Sequence, residues 1–158
     1  MQQLDALLLE YAGSHRNPVN QVIHWICIPL ITFTVVAFGW LIPSAWMSGW
    51  LPADIAPFFN FATLGGALAL VYYWRLAPWL FAIMLAFLVG SVALAWSIEQ
   101  SGLPLGWIAA GIFVVTWIAQ FYGHHVEGAK PSFFKDVQFL LVGPAFIADK
   151  ARRGKFID

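Results

Sequence analysis

The chain is rich in apolar residues and poor in charged ones. Of its 158 residues, 61% are hydrophobic and 10% are charged, whereas a soluble domain carries about 25% charged residues. A single domain of this size cannot hide so much apolar surface from water, so we expect lipid to cover part of it. The formal net charge is zero, and no basic patch is dense enough to indicate a nucleic-acid partner.

Long charge-free runs predict membrane-spanning helices. Three single charged residues, Asp54, Arg75 and Glu99, separate four such runs. Because a spanning helix needs about 20 apolar residues, each run is long enough to cross a bilayer once. The predicted spans lie near residues 22–42, 56–74, 78–98 and 104–122. The predicted fold is therefore an all-α integral membrane protein with four transmembrane helices, formed by residues 1–158 as a single membrane domain; soluble helices covered by a partner are the alternative.

Two flanking segments have helical patterns but are not predicted to span. In residues 3–14 and in residues 132–148, apolar side chains recur on one face and charged ones on the other. We expect both segments to lie in the membrane interface as short amphipathic helices, with their apolar faces toward the lipid. Gly143 and Pro144 interrupt the second segment, which favours a shallow or re-entrant path over a fifth span.

The lysines and arginines predict the orientation. All eight lie in the N-terminal segment, at Arg75 or in the C-terminal segment, while the connections 43–55 and 99–103 hold none. Loops rich in Lys and Arg remain cytoplasmic. Both termini are therefore predicted to be cytoplasmic.

The four histidines form two clusters. His15 and His24 lie where the first span begins, and His124 and His125 lie where the last one ends. An even number of crossings places both clusters on the same, cytoplasmic, side of the membrane. Imidazole is the commonest metal ligand among side chains. The sequence therefore predicts a metal centre at the membrane surface with these four side chains as candidate ligands, although a single interfacial histidine often only forms hydrogen bonds at the headgroup level.

Polar neighbours extend the predicted site. On a helix Glu127 shares a face with His124, so we expect it to bind the metal or a ligand of the metal. Asn20 lies one turn before His24 and is predicted to orient a ligand or the substrate. Arg16 is a weaker candidate for binding a substrate carboxylate, and it is equally suited to anchoring the topology.

The type of metal remains open at this point. The single cysteine, Cys27, makes a thiolate cluster impossible, so a structural zinc site is not expected. A shell of nitrogens, with or without a carboxylate, suits Fe(II), Zn or Cu. Two other functions compete: a bis-histidine haem b electron carrier, and a small membrane protein that is not an enzyme. The polar motifs disfavour the first, and the scarcity of ionisable groups in the spans disfavours a transport role for the second.

The two histidine motifs resemble those of a known membrane family. The first motif begins ahead of the first span and ends within its start, and it reads H-R-N-P-x-N-x-x-x-H. The second motif begins at the end of the last span, and it reads Q-F-x-G-H-x-x-E-G-x-x-P-S-F-F-x-D. Both are similar to motifs of the small membrane family typified by the fungal endoplasmic-reticulum 2-hydroxy fatty acid dioxygenase of phytosphingosine degradation. The resemblance covers essentially the whole chain, including the C-terminal F-L-L-V-G-P stretch.

The resemblance implies an activity and a set of ligands. Members use Fe(II) and O2 to convert a 2-hydroxy fatty acid to a fatty acid one carbon shorter plus CO2. The family's histidines match His15, His24 and His124, while His125 is a weaker candidate for a fourth nitrogen. The acyl tail is expected among the spans or in membrane lipid, with the polar head at the cytoplasmic surface. Since the family includes bacterial members, we expect the bacterial inner membrane.

The predicted orientation can be tested with reporter fusions. Fusions at residue 48 and at residue 158 should report opposite compartments, because four crossings place the first connection outside and the C-terminus inside. Reports of the same compartment from both fusions would contradict the four-span topology.

Overall fold

The structure is all-helical throughout the residues that it describes. It is a computed structural model that describes residues 2–13, 15–128 and 133–154. Its helices, with one short 3-10 turn at Ala56–Phe58, are α1 (Gln2–Gly13), α2 (Pro18–Leu41), α3 (Ala45–Ser48), α4 (Phe61–Leu76), α5 (Pro78–Gln100), α6 (Leu105–Glu127) and α7 (Phe133–Arg153). The all-α prediction is confirmed for these residues.

Within the described part of the chain, three helices, α2, α5 and α6, are long and apolar enough to cross a membrane. They correspond to the spans predicted near residues 22–42, 78–98 and 104–122. The span predicted at 56–74 differs, because α4 begins only at Phe61 and has 16 residues. At 1.5 Å per residue it is about 24 Å long, less than the roughly 30 Å of a bilayer core. The four-span topology therefore stays a prediction.

Local capping explains where α4 and α2 begin. The Asn60 side chain accepts hydrogen bonds from the backbone N–H groups of Ala62 and Thr63, and this cap fixes the late start of α4. In the same way Asn17 accepts from the N–H of Val19, and Pro18 occupies the first position of α2, where its missing N–H costs nothing. The chain just before α2 is therefore held in a defined turn.

Helix α2 is the central element of the bundle. It contacts α4, α5, α6 and α7, and its buried residues extend from Asn20 to Trp40. The approach to α4 is close at Gly39, where an added Cβ would lie 3.1 Å from the backbone N and Cα of Ala62. An apolar cluster surrounds the end of the bundle at which α2 begins, and residues of α1, α4, α5 and α7 form most of it.

The terminal helices bury apolar residues against other helices, whereas the sequence predicts that these residues face lipid. Leu4, Leu8 and Tyr11 do form one face of α1, but they are buried in the protein, where α1 packs against α7. Helix α7 continues through Pro144 without a break, and its residues 142–150 are mainly buried. Packing against α1, α2 and α5, rather than lipid, buries this part of α7. Residue 14 of the first predicted segment and residue 132 of the second lie outside the described residues.

The close approach of α2 and α4 predicts a stability difference between two glycine substitutions. Gly39→Leu should destabilise the protein by about 1–3 kcal/mol, since the side chain meets the backbone of α4. Gly111→Leu is the matched control, because an added Cβ there meets nothing within 4 Å. Both changes favour the helical backbone equally, so thermal unfolding in detergent compares packing alone. Equal melting temperatures for the two variants would contradict the observed contact.

Candidate metal centre

Three histidines from separate parts of the chain meet at one end of the bundle. His15 lies between α1 and α2, His24 lies in the second turn of α2, and His124 lies in the last turn of α6. One ring nitrogen from each lies within 4.8 Å of the other two. His15 and His24 are buried, whereas His124 is partly exposed. The two clusters predicted to share a site are thus together.

Backbone carbonyls define the state of two of these rings. Nδ1 of His15 lies 2.7 Å from the carbonyl oxygen of Tyr11, and Nδ1 of His24 lies 2.9 Å from that of Asn20. A carbonyl only accepts, so each Nδ1 carries its proton and donates it. Each neutral ring then has an unprotonated Nε2. In metal sites, a hydrogen bond from one ring nitrogen to a carbonyl oxygen sets which of the two nitrogens faces the metal.

The two unprotonated nitrogens face each other. Nε2 of His15 lies 3.0 Å from Nε2 of His24. Two lone pairs at this separation repel unless a positive charge lies between or beside them. His124 brings a third imidazole to the same place. The donor set therefore fits a divalent cation held by three imidazole nitrogens, a shell that leaves positions for other ligands and is suited to iron or zinc.

Burial also keeps His15 neutral. Desolvation lowers the pKa of His15 from its usual 6.5 to about 4, and the nearby His124 and Lys150 act in the same direction. The Tyr11 carbonyl and Glu127 oppose this effect but do not cancel it. A metal ligand must be deprotonated to bind, so His15 is ready to coordinate at neutral pH.

Glu127 is engaged by the turn before α2. Its Oε1 accepts from the backbone N–H of Arg16 at 2.8 Å, and its Oε2 accepts from that of Asn17 at 2.8 Å. The Asn20 side-chain amide donates to Oε2 at 3.1 Å. The carboxylate at the end of α6 thus holds the segment that carries His15. These contacts are of the kind made by a residue that positions a metal ligand.

Asn20 is fully buried between α2 and α6. Its exposed fraction is 0%. The oxygen of its side-chain amide, Oδ1, lies against Gly123, where an added Cβ would collide with it. Gly123 therefore permits the close approach of the two helices that brings His124 toward His24. Asn20 contacts Glu127 through its side-chain amide and His24 through its backbone carbonyl, and its role in orienting a ligand or the substrate stays a prediction.

Two predicted residues lie outside the group of three. His125 is exposed on α6, next to His124 but turned by about 100° around the helix axis. The side chain of Arg16 is also exposed, and the contacts of this residue are made by its backbone. Metal binding by His125 and substrate binding by Arg16 remain predictions.

A buried pair beside the histidines, Lys150 and Gln21, was not predicted from the sequence. The Lys150 ammonium, on α7, donates to Oε1 of Gln21 at 3.0 Å, and Lys150 is only 7% exposed. Gln21 in turn donates to the carbonyl oxygen of His15 at 3.0 Å. The sequence feature that could have indicated this pair is the position of Gln21 inside the first histidine motif. Lys150 gave no such indication, because it belongs to a charged C-terminal stretch that is typical of a cytoplasmic tail.

The lowered pKa of His15 predicts how the metal-free protein responds to acid. In the unfolded chain His15 takes up a proton near pH 6.5, but in the fold it does so only near pH 4. Its contribution to stability is therefore complete above pH 6.5 and is lost as the pH falls toward 4. Melting temperatures of metal-free protein at pH 7.5, 6 and 5 should fall less steeply for His15→Gln than for wild type. A wild-type slope for His15→Gln would contradict the assignment.

Comparison with known proteins identifies the family of the chain. No curated protein and no solved structure matches the chain. The family described as 2-hydroxy-palmitic acid dioxygenase Mpo1-like matches residues 1–154, a range that contains all three histidines and Glu127. The chain therefore belongs to the 2-hydroxy-palmitic acid dioxygenase Mpo1-like family, as the two histidine motifs predicted.

Proposed function

We propose that the protein is an Fe(II)-dependent dioxygenase that converts a long-chain 2-hydroxy fatty acid to a fatty acid one carbon shorter plus CO2. The observation that carries the proposal is the group of three imidazoles, with two Nε2 atoms 3.0 Å apart, at one end of long apolar helices. The name of the family supports the dioxygenase activity and the class of substrate. A nitrogen shell with open positions supports a metal that binds substrate and O2 together.

The proposed reaction is balanced without a further reductant. R–CHOH–COOH and O2 give R–COOH, CO2 and H2O, so the two carbons of the substrate supply all four electrons that O2 requires. The bond between C1 and C2 breaks, and C2 becomes the new carboxyl carbon. Bound Fe(II) would supply the chelation of the carboxylate and hydroxyl and the activation of O2.

The residues of the chain hold and orient this chemistry. His15, His24 and His124 present ring nitrogens to one point, and in His15 and His24 a backbone carbonyl defines the tautomer. Glu127 fixes the turn that carries His15, while Asn20 connects Glu127 to α2. Such outer partners keep ligands in position and tune the metal. We assign Asn20 and Glu127 these positioning roles.

The location of the site suits a substrate with a polar head and an apolar tail. The histidines lie at the ends of α2 and α6, which are both long enough to cross a membrane. A fatty acid in the bilayer would therefore present its head at the depth of the histidines while its tail remains in an apolar environment. We propose the cytoplasmic face of the inner membrane, from the distribution of Lys and Arg.

Neighbouring histidines offer a matched test of the metal ligands. His124→Ala should lose most of its bound iron, because it removes one of three nitrogens from the site. His125→Ala, the same change at the next residue, should retain iron if three histidines suffice. Iron content of protein purified and loaded without air measures both, and membrane insertion is the control for folding. Full iron content in His124→Ala would contradict the site, and loss of iron in His125→Ala would assign it a ligand role.

The reaction itself can be tested with 2-hydroxypalmitate. Under air the iron-loaded protein should yield the acid one carbon shorter and CO2, whereas without O2 it should yield neither; mass spectrometry identifies the product. Asn20→Ala should reduce turnover about tenfold, more than it reduces iron content, since it changes a partner of the ligands rather than a ligand. An unshortened acid under air with iron bound would overturn the proposed function, and a Soret band in the purified protein would favour the haem alternative.

A further inference from the structure

An apolar groove lies between α2, α5 and α7. Its volume is about 170 Å³. Thr32 is the polar residue on its wall, and the Thr32 hydroxyl is used within α2, where it donates to the Ile28 carbonyl at 2.8 Å. The groove therefore offers hydrocarbon surface and is suited to a hydrocarbon chain. Its walls include Ile28, Thr32, Ile83, Phe87, Ile147 and Ala151.

A contact of α7 with α1 and α2 separates this groove from the histidines. At Gly143 of α7, an added Cβ would lie 3.2 Å from Cδ1 of Ile28 and 3.4 Å from the hydroxyl oxygen of Tyr11. Tyr11 in turn stacks on the His15 ring, with centroids 4.1 Å apart. The helices thus touch between the groove and the metal centre. A molecule whose head lies at the histidines does not reach the groove along α2.

The groove opens on the surface that α2 and α5 would present to lipid. Both helices are long and apolar enough to cross a membrane, and Ile83 on the groove wall is 39% exposed. On α5, which begins at Pro78, the residues Trp79, Ile83 and Phe87 follow one another at intervals of four and so lie along one face. The groove therefore extends along α5 from a tryptophan near the helix start, in the direction that a lipid chain takes in a bilayer.

Positive charge lies at the end of the groove where α7 meets the start of α5. The Arg152 guanidinium is 4.5 Å from the centre of the Trp79 ring, and Arg152 directly follows Ala151 of the groove wall. Arg152 and Arg153 are both about half exposed, and both bind the carboxylate of Asp149, at 3.2 and 2.7 Å. Within the described residues, two guanidinium groups thus share one carboxylate, so that one positive charge is not neutralised.

The groove and its charged end match one class of membrane component. Tryptophan beside a spanning helix lies at the level of the lipid headgroups. Guanidinium groups bind phosphate oxygens with paired hydrogen bonds, and basic pockets beside spanning helices bind anionic headgroups. An anionic phospholipid joins a phosphate to an acyl chain in one molecule, as the site requires.

We propose that the groove binds one acyl chain of an anionic phospholipid whose phosphate lies at Arg152 and Arg153. The lipid belongs to the leaflet at this end of the bundle, which is the cytoplasmic one in the predicted orientation, and its second chain remains in the bilayer. The site goes beyond the proposed function, because it is separate from the metal centre and needs neither iron nor substrate. A lipid held by all three walls also stabilises the docking of α7 on α2 and α5.

The headgroup contact is tested by native mass spectrometry of the full-length, iron-loaded protein. Phosphatidylglycerol and phosphatidylcholine with the same acyl chains are added in equal amounts, and the bound lipids are counted. Wild type should bind phosphatidylglycerol about fivefold more than phosphatidylcholine. Arg152→Gln should lose this preference, because Asp149 then neutralises the remaining arginine. Asp149→Asn should increase it, whereas a purely structural role for these residues would give no such dependence on charge.

Arg16→Gln is the matched control for the headgroup contact. It is the same change at another exposed arginine, one whose backbone N–H donates to Glu127 at the end of α6. It should retain the wild-type preference for phosphatidylglycerol.

The acyl contact is tested by filling the groove. Ala151→Trp places a large side chain at the exposed rim, where it displaces methylenes of the chain, and it should reduce binding of both lipids about tenfold. Ala86→Trp is the matched control: it is the same change at an exposed position of α5 outside the groove, and it should alter neither. Equal melting temperatures of these variants without added lipid show that the fold is retained.

The outcomes separate this site from the proposed function. Equal binding of the two lipids by wild type, or a preference that survives Arg152→Gln, overturns the headgroup assignment. Wild-type lipid binding by Ala151→Trp overturns the groove assignment. Displacement of the lipid by an equal concentration of 2-hydroxyhexadecanoic acid would overturn the assignment to a phospholipid and give the groove to the fatty acid. None of these measurements requires turnover, so the lipid site and the proposed reaction can fail independently.

Discussion

The contact between His15 and His24 constrains the rest of the structure. Two unprotonated nitrogens 3.0 Å apart, in rings whose other nitrogens donate to carbonyl oxygens, are an unfavourable pair on their own. Burial opposes the simplest relief, which is protonation, because desolvation lowers the pKa of His15 to about 4. The arrangement is stable only if the surrounding fold holds it or if a cation occupies it. The fold supplies the holding, and the chemistry of the donors favours the cation.

Glu127 is the residue through which the fold supplies that support. It joins the end of α6 to the turn before α2, more than 100 residues away, with hydrogen bonds to two backbone N–H groups and one amide. Charge-assisted bonds of this kind are the stronger ones. With these contacts the carboxylate holds the turn that follows His15, and Gly123 permits the helix approach that places it there. The helices α2 and α6 thus carry both candidate metal ligands and the residues that hold them in position.

The terminal helices complete the site from the side away from α6. Tyr11 of α1 stacks on the His15 ring, with centroids 4.1 Å apart, and Phe146 of α7 packs against Tyr11. Lys150 reaches Gln21 from α7. These two helices therefore shield the histidine rings from water and bring the Lys150 side chain near them. Both tasks require α1 and α7 to bury their apolar faces on the bundle, which is why the faces are not left for lipid.

Composition and pattern alone determined that the chain is helical and rich enough in lipid-compatible segments for a membrane, because hydropathy is a property of the residues themselves. They also placed the three histidines that meet in the structure, His15, His24 and His124, in two motifs, since these residues are recognised by their type and spacing. The late start of α4 depended on an Asn60 cap that hydropathy does not register. Only the tertiary structure decided that Glu127 holds a turn and that Lys150 is buried beside the site. Each of these depends on which helix lies opposite, and contacts between residues more than 100 positions apart leave no periodic trace in the sequence.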